Sequence, residues 1–572
     1  MSTELLGVIA TYGLAIALAI PLGRYMAAVY QGKKHGSDFF LPLERLIYRI
    51  SGVDPAKEMD WKQHLKALLT INLVWFVYGF FMLMGQGVLP LNPDGNPGMS
   101  PHLAFNTIIS FVVNCNLQHY SGESGLTYLT QTGVIMFLQF VSAATGMAAL
   151  AAVYKAMASG TTVALGNFWM YFTRSITRIL LPLSTVLAFI LVLQGTPMTF
   201  DGAATATTLE GVEQHIAQGP ASAMVAIKQL GTNGGGFFGV NSAHPLENPT
   251  YLSNMAETIA ILLIPMGLVF ALGFWLKRMR LAWTIFGVMT VGFVLLLTGA
   301  VLLERAGNPA IAELGIAQPM GSMEGKEVRF GAEASALWGV STTATSNGSV
   351  NAMHDSMTPL TGGILMLDMF INAFYGGVGV GFLNYYVFLI IAVFIAGLMV
   401  GRTPEFLGRK VEAREMKIAT MIALLHPFLI LVGTAIAGYA VAHTPTAAWD
   451  AAPQSWLNNP GAHGFSEMLY ENASAAANNG SGFEGLGDNN FFWNFMTGLI
   501  LILGRFLPII GPLAIAGLLA AKKVVPEGGG TLRADTFTFG GLTFALIFIL
   551  AALSFFPALA IGPLAEYFAL VP

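Results

Sequence analysis

The sequence predicts an all-α polytopic membrane protein with ten transmembrane helices, in which four pseudo-symmetric helix–pore-loop–helix repeats are flanked by one extra helix at each end. Three observations lead to this fold class. Of 572 residues, 55% are hydrophobic and only 10% are charged, whereas soluble domains carry about 25% charged residues. Apolar runs of about 20 residues, the length that crosses the hydrocarbon of a bilayer, recur along the chain. Between them, four Gly/Asn-rich breaks recur at near-equal intervals.

Hydropathy in windows of about 19 residues locates the crossings. The first apolar run lacks the basic start and small-residue cleavage site of a signal peptide, so we expect it to be a retained helix. The ten predicted crossings are 5–28, 66–85, 131–157, 175–194, 255–276, 281–303, 382–400, 418–440, 492–520 and 540–563.

The basic residues indicate the orientation of these crossings. All but five of the 27 Lys and Arg residues lie in or beside the odd-numbered connections; the exceptions are Lys228, Arg305, Lys326, Arg329 and Arg505. Because basic residues are retained on the cytoplasmic side, both termini are predicted to be extracytoplasmic. The long even connections are rich in Asp and Glu and would attract cations, although the same bias follows from the positive-inside rule alone.

Two function classes are disfavoured by composition. The net charge is −4, and no basic cluster is combined with aromatic stacking residues, so we expect no nucleic-acid partner. Cys115 is the single cysteine, which excludes an internal disulfide, and it lies in no metal-binding pattern. We expect it to be a small buried residue.

Each even connection contains a short, partly apolar helix followed by one of the four breaks. The breaks read Asn114-Cys115-Asn116-Leu117-Gln118, Thr232-Asn233-Gly234-Gly235-Gly236, Ser346-Asn347-Gly348-Ser349-Val350 and Asn478-Asn479-Gly480-Ser481-Gly482. Irregular backbone at membrane depth is tolerated only where it lines a water-filled cavity or is buried in protein. Four such segments are therefore expected to converge on one axis. A single Asn-Gly or Gly-Gly pair would indicate only a turn, but the fourfold recurrence favours the pore.

The chemistry of the breaks indicates a potassium filter. Removing the hydration shell of a cation in a low-dielectric medium costs on the order of tens of kcal/mol unless other oxygens replace the water. Rings of backbone carbonyls do this in potassium channels, and glycine allows the positive φ that such a segment needs. The second break fits best, since Thr232 supplies a hydroxyl and Gly234 a glycine. Ser346 and Gly348 repeat this pair, while Asn114 and Asn478 offer an amide instead.

Three further residues are candidates for gating or for an electrostatic barrier. Arg505 is expected to be the one basic residue within a hydrophobic span, where an ionisable group is a functional candidate by default. It could block straight-through leakage of cations, or simply pair with a helix-end carbonyl or an acid. Gly377 and Gly379, in the run 376–381, are interpreted as a movable break in a long seventh helix; close packing of small residues is the alternative.

Several longer strings carry a family resemblance. The chain resembles the potassium-binding subunit of bacterial Kdp potassium-transporting ATPases, within the superfamily of potassium transporters with four pore-loop repeats. The resemblance runs from the first crossing to the last. The strings are GTNGGGFF (231–238), NPTYLSN (248–254), MEGKEVRFG (323–331), AMHDS (352–356), GLMVGRTPEFLG (397–408), REMK (414–417) and HGFSE (463–467).

The resemblance implies a function and partners. Potassium would enter a filter from the periplasm and pass through an intramembrane tunnel to a P-type ATPase subunit. A single-span subunit, together with a small single-helix subunit, would complete the complex. The resemblance also implies a bacterial inner-membrane location. The filter positions it carries over are Asn114, Asn116, Gln118, Thr232, Gly234, Ser346, Gly348, Asn478 and Gly480. Asn116 stands where the other segments have glycine, so the ring is expected to be asymmetric.

The chain has no phosphate-binding GxxxxGK[ST] motif and no Asp-Lys-Thr-Gly phosphorylation motif. We therefore expect a transport subunit with no organic cofactor and no hydrolytic activity of its own, with ATP used by the partner. A stand-alone gated channel, an ion-coupled transporter and a membrane scaffold without a pore remain the alternatives.

The chain is divided into six regions. They are the first helix with its basic loop (1–60), pore repeats one to four (61–160, 161–280, 281–415 and 416–525) and the last helix (526–572).

Overall fold

A computed structural model describes residues 3–444, 450–526 and 533–570. Within these ranges ten helices are long and apolar enough to cross a membrane, so the protein is a multi-pass membrane protein. Nine predicted crossings lie inside the observed helices, and the seventh extends one residue too far, to Val400. The crossing helices are Thr3–Gln31, Trp61–Val88, Tyr128–Ala158, Phe168–Gln194, Tyr251–Leu276, Met279–Glu313, Val380–Met399, Ala413–His443, Phe491–Ala520 and Phe537–Leu570.

Local capping sets where several crossings begin. The Asp60 carboxylate accepts a hydrogen bond from the Gln63 N–H, and the Gln63 side chain accepts one from the Asp60 N–H. Thr250 and Ser253 form the same reciprocal pair before the fifth crossing. Such caps satisfy N–H groups that have no partner within the helix. They fix the point at which each chain segment turns from loop to membrane helix.

A pore helix lies in each even-numbered connection, between two crossings. The four are Pro101–Val112, Ala221–Leu230, Gly331–Ala344 and Ala462–Ala477. Every residue of the third is buried, which is why its sequence shows no polar face. The second and third, fourth and fifth, sixth and seventh, and eighth and ninth crossings flank these helices in turn. The predicted fold of four repeats with one extra helix at each end is confirmed.

Two small antiparallel hairpins are additions that the sequence did not predict. One pairs Ala204–Thr207 with Glu213–Ile216 in the fourth connection, and the other pairs Glu405–Phe406 with Arg409–Lys410 in the seventh. Both are too short to show a clear alternation of apolar and polar residues. A helix at Leu41–Ser51 lies in the first connection.

The seventh crossing is interrupted. A short apolar helix, Pro359–Ile371, precedes the crossing helix Val380–Met399, and residues 372–379 between them form a non-helical break. Asn372, Tyr375, Gly376 and Gly379 all have positive φ there. Gly376 and Gly381 approach so closely that a side chain at either would overlap the other residue's backbone. Residues 376–379 of the predicted run thus lie in the break, which begins four residues earlier, whereas Val380 and Gly381 belong to the crossing helix.

The first crossing lies outside the repeats but contacts the break. It packs along the fifth crossing, where a Cβ added at Gly23 would lie 2.6 Å from the Gly267 carbonyl oxygen. Tyr12, in the first half of this helix, places its hydroxyl 2.7 Å from that of Tyr375. The Tyr375 hydroxyl is also 2.9 Å from Thr290 Oγ1 on the sixth crossing. Tyr375 of the break is therefore hydrogen-bonded to both the first and the sixth crossing.

Candidate ion pore

The four pore-loop segments, 114–118, 232–236, 346–350 and 478–482, share one backbone conformation. Their first residues, Asn114, Thr232, Ser346 and Asn478, have φ of 63°, 47°, 49° and 50°. Their third residues, Asn116, Gly234, Gly348 and Gly480, have φ of 60°, 86°, 92° and 107°. Left-handed residues are uncommon outside glycine. Their recurrence at the same two positions of all four segments shows that the segments are structural repeats.

The same hydrogen bond joins each segment to its own pore helix. The N–H of the second residue donates to the carbonyl five residues earlier, over 2.9, 2.8, 2.9 and 2.8 Å for Cys115, Asn233, Asn347 and Asn479. The segment therefore begins directly at the carboxyl end of the pore helix. Four carboxyl ends of helices, each with partial negative charge, converge on the four segments.

The segments form a closed ring. A Cβ added at Gly234 would overlap the Asn347 carbonyl, and one added at Gly348 would overlap the Asn479 carbonyl. One added at Gly480 would overlap the Cys115 carbonyl. The ring is completed between the first and second segments, because a Cβ on Gly235 would lie 2.5 Å from Cβ of Asn116. The order around the axis is first, second, third, fourth.

Side-chain amides join neighbouring repeats around this ring. Asn347 Nδ2 donates to the Lys228 carbonyl at 3.1 Å, and Asn479 Nδ2 donates to the Thr342 carbonyl at 2.7 Å. Between the first and second repeats, Asn114 Nδ2 donates to the Thr232 carbonyl at 3.0 Å. The second-position asparagines of the third and fourth segments thus bond to the pore helix of the preceding repeat.

An outer cavity of about 720 Å³ lies above the ring and is lined by all four repeats. Gln118 lines it, and its Oε1 accepts a hydrogen bond from the Gly236 N–H at 3.2 Å. Glu471, Glu484 and Asp488 also line it. Burial raises the pKa of Glu484 to about 8. Burial also raises the pKa of Asp488, against the charge of His119, to about 6.

His119 lies in the wall of this cavity. Its Nε2 is 3.0 Å from Glu471 Oε1, and its Nδ1 is 2.9 Å from Asn494 Oδ1. Burial alone would lower the pKa of His119, but the charges of Asp488 and Glu471 outweigh it and raise the pKa to about 9. His119, Glu471 and Asp488 also place one ligand atom each within 4.8 Å of one another.

The break in the seventh crossing lies against the inner end of the ring. The Val378 N–H donates to Thr232 Oγ1 at 2.9 Å, and Ser346 Oγ donates to Asn372 Oδ1 at 2.9 Å. A Cβ on Gly377 would lie 3.4 Å from Cβ of Ser346, and Gly379 packs against Gly146. Gly377 and Gly379 therefore lie beneath the ring; a gating role for them stays a prediction.

Arg505 lies beside this break. It is 4% exposed, and its Nη2 donates to the Ser142 carbonyl at 3.3 Å. Among the described residues it forms no ion pair with a carboxylate. The expectation that it is the one basic residue in a span was wrong, because Arg178 is also buried in a crossing. Arg178 differs in having a carboxylate partner, Glu44, whose Oε1 is 2.5 Å from its Nε.

Two buried ion pairs are not evident from the sequence. Lys228, on the second pore helix, pairs with Glu247, and Lys326 pairs with Glu304 at 2.8 Å; all four side chains are fully buried. The charge pattern suggests outer-loop positions for both lysines, because they lie in even connections. For Lys228 a signal is present, since it falls within a partly apolar helix.

The fold and this ring define a four-repeat pore-loop membrane protein. The model of the potassium-transporting ATPase A subunit family matches residues 9–568, and the chain belongs to that family. It is 64% identical over 573 residues to the potassium-transporting ATPase potassium-binding subunit of Flavobacterium johnsoniae, across 100% of both chains. It is 49% identical over 568 residues to that of Alicyclobacillus acidocaldarius, across 98% of both.

One solved structure shows the same fold at low sequence identity. The potassium transporter TrkH from Vibrio parahaemolyticus matches with a TM-score of 0.51 and 15% identity, over 89% of this chain and 98% of that chain. At this identity the match supports the arrangement of helices alone. The resemblance drawn from the sequence strings is confirmed by the family match.

Proposed function

We propose that this chain is the potassium-binding and translocating subunit of an ATP-driven, P-type, high-affinity potassium uptake complex. It binds periplasmic potassium in the ring of pore-loop segments, which serves as a selectivity filter, and delivers the ion through an intramembrane tunnel to the ATPase partner. The observation that carries this proposal is the closed ring, with left-handed residues at the same two positions of all four segments.

The ligand chemistry of the ring favours potassium over divalent cations. The four segments contain no Asp or Glu, so the available oxygens are neutral carbonyls, hydroxyls and amides. Divalent cations are bound through carboxylates, whereas backbone carbonyls replace the hydration shell of potassium. The carboxyl ends of the four pore helices add partial negative charge without a formal charge.

The break and Arg505 support sideways delivery of the ion to the partner, as opposed to passage straight through the membrane. The break lies across the inner end of the ring, and Arg505, which pairs with no carboxylate in the described part of the chain, places a positive charge beside it. A small cavity of about 90 Å³ opens next to the break and is lined by Asn372 and Asn384. We assign this cavity as the start of the route to the partner, because Asn372 is hydrogen-bonded to Ser346 of the ring.

The family name supports the assignment of partners. ATP is hydrolysed by a P-type ATPase partner, and two smaller membrane proteins, one with a single span and one formed by a single short helix, complete the complex. The excess of basic residues in the odd connections supports a periplasmic position for both termini, in the bacterial inner membrane.

Two glycines of the fourth segment provide a matched test. Gly480 has φ of 107° and lies against the Cys115 carbonyl, whereas a Cβ on Gly482 would meet only Glu471 Oε2, at 3.7 Å. A left-handed conformation costs a residue with a side chain about 1–2 kcal/mol. In the assembled complex, Gly480→Ala should weaken the apparent potassium affinity by about tenfold, measured by potassium activation of ATP hydrolysis. Gly482→Ala should have a much smaller effect. Equal affinities in both variants and the native complex would overturn the proposal.

A further inference from the structure

One of the four junctions of the ring is not crossed by a side-chain amide of a pore-loop segment. At the first–second junction that amide belongs to the first-position Asn114, which donates to the Thr232 carbonyl. At the second–third and third–fourth junctions, the second-position asparagine of one segment donates to the pore helix of the preceding repeat. The acceptors are the carbonyls of Lys228 and Thr342. Lys228 lies five residues before Asn233, the second residue of the second segment, and Thr342 lies five residues before Asn347, the second residue of the third. At the fourth–first junction the corresponding donor would be residue 115 and the acceptor Ser474. Residue 115 is a cysteine, which has no amide to donate.

His119 makes a different contact across this junction. It follows the first segment directly, and its Nε2 lies 3.0 Å from Oε1 of Glu471, one turn before Ser474 on the fourth pore helix. The two side chains are 0% and 2% exposed. They join positions 352 residues apart in the sequence.

The orientation of the His119 ring is fixed from its other side. Nδ1 lies 2.9 Å from Asn494 Oδ1 on the ninth crossing, and Asn494 Nδ2 lies 2.9 Å from His102 Nδ1 on the first pore helix. Asn106 of the same pore helix also contacts the ring, with its Nδ2 3.1 Å from Nδ1. His119 therefore bridges the first and fourth repeats through three elements.

We propose that His119 is a positioning residue for potassium binding: its contact with Glu471 closes the ring at the fourth–first junction, where the side-chain amide of the other junctions is missing. The inference rests on the proposed function, because it assigns His119 a part in holding the filter. Hydrogen bonds to a carboxylate are roughly twice as strong as neutral ones. Here such a bond holds together two backbones in direct contact, since the Cys115 carbonyl packs against Gly480.

The contact acts on the geometry of the ring and not on later transport steps. Without it, the Cys115 carbonyl and Gly480 can move apart, and the oxygens around the ion no longer match potassium. Affinity and selectivity for potassium should fall, whereas the maximal rate at saturating potassium should be retained. A purely structural role would instead reduce the amount of folded complex and leave the affinity of the remainder unchanged.

The test uses the assembled complex and the double variant that installs the missing amide. We expect His119→Gln to weaken the apparent potassium affinity by about tenfold, with a maximal rate of ATP hydrolysis within about twofold of native. His119→Gln/Cys115→Asn should recover part of the loss. His119→Gln/Cys115→Ser is the matched control and should recover none, because serine has no amide and is too short to reach the Ser474 carbonyl.

Three results would overturn the inference. In the first, His119→Gln lowers the yield of folded complex but leaves potassium affinity and the potassium/rubidium ratio native. In the second, Cys115→Asn restores no more affinity than Cys115→Ser. In the third, Gly480→Ala weakens potassium binding and His119→Gln does not. This result would contradict the role of His119 but would still agree with the proposed function. If neither variant changes affinity, the proposed function itself fails.

Discussion

Thr232 Oγ1 accepts a hydrogen bond of 2.9 Å from the Val378 N–H, and so connects the second pore-loop segment to the break in the seventh crossing. Both residues are fully buried. A buried N–H that loses its acceptor costs about 1–3 kcal/mol. The Thr232 hydroxyl is therefore one of the groups that hold the break against the ring.

The Thr232 hydroxyl can be removed with little change in shape. Thr232→Val should lower the apparent potassium affinity by about fivefold or more, because the break loses its bond to the ring. Thr232→Ser retains the hydroxyl and should remain close to native. Potassium titration of ATP hydrolysis in the assembled complex measures both. A native affinity in the valine variant combined with a weakened affinity in the serine variant would show that the methyl group, not the hydrogen bond, matters at this position.

Gly234 provides a test of selectivity. Gly234→Asp adds a Cβ where the Asn347 carbonyl lies, at φ of 86°, and adds a charge to a ring of neutral oxygens. We expect it to reduce potassium affinity and the potassium/rubidium ratio far more than it reduces the amount of folded protein. The measurements are potassium- and rubidium-stimulated ATP hydrolysis, with the melting temperature as control. A native ratio and affinity would remove Gly234 from the filter.

Gln118 tests the outer end of the ring. Its Oε1 bonds to the Gly236 N–H, and the side chain borders the outer cavity. Gln118→Arg puts a positive charge at the entrance and should weaken potassium capture. Gln118→Met loses the hydrogen bond without adding charge, and should have the smaller effect. If the arginine variant binds potassium with native affinity, Gln118 lies outside the path of the ion.

Arg505 distinguishes a pump subunit from a channel. A unit charge acts on another at 4 Å with about 4 kcal/mol even at an effective dielectric constant of 20. Arg505→Met should keep the fold but allow passive potassium flux, or make ATP hydrolysis less dependent on potassium. Arg505→Lys keeps the positive charge and should allow no passive potassium flux. Uptake into vesicles without ATP is the measurement. If the methionine variant shows no passive potassium flux and its uptake still requires ATP, Arg505 is only a structural partner of the Ser142 carbonyl.

His463 predicts how stability depends on pH. Its ring lies 2.8 Å from both Asp355 and Glu566, and so joins the third repeat, the fourth pore helix and the last helix. Burial would lower the pKa of His463, but the hydrogen bonds to Asp355 and Glu566 outweigh it and raise the pKa from 6.5 to about 10. A raised pKa means that this stabilisation is complete below pH 6.5 and is lost as the pH rises towards 10.

The melting temperature of the purified protein should show this loss. The difference in melting temperature between native protein and His463→Gln should be largest at or below pH 6.5 and should shrink towards pH 10. His215→Gln, at an exposed histidine of the first hairpin, is the control and should melt like the native protein at each pH. A difference that does not change with pH would show that His463 contributes through packing alone.

The ten crossings could be predicted because a helix that crosses the hydrocarbon of a bilayer must be apolar over about 20 residues, and mean hydropathy measures this property directly. The four pore-loop segments could be predicted because left-handed turns select Gly and Asn, as at Gly348 and Asn478. The contacts that join them could not. The Thr232–Val378 bond and the His119–Glu471 contact link residues 146 and 352 positions apart. Nothing in the local sequence of either partner specifies the other.

The Tyr12–Tyr375 hydrogen bond couples the first crossing to the break beneath the ring. Any displacement of Tyr375 must stretch or exchange a hydrogen bond to a helix that lies outside the four repeats. The first crossing thus restrains the movement of the break beneath the ring. Two phenol groups, one inside the repeats and one outside, hold the resting position of that segment.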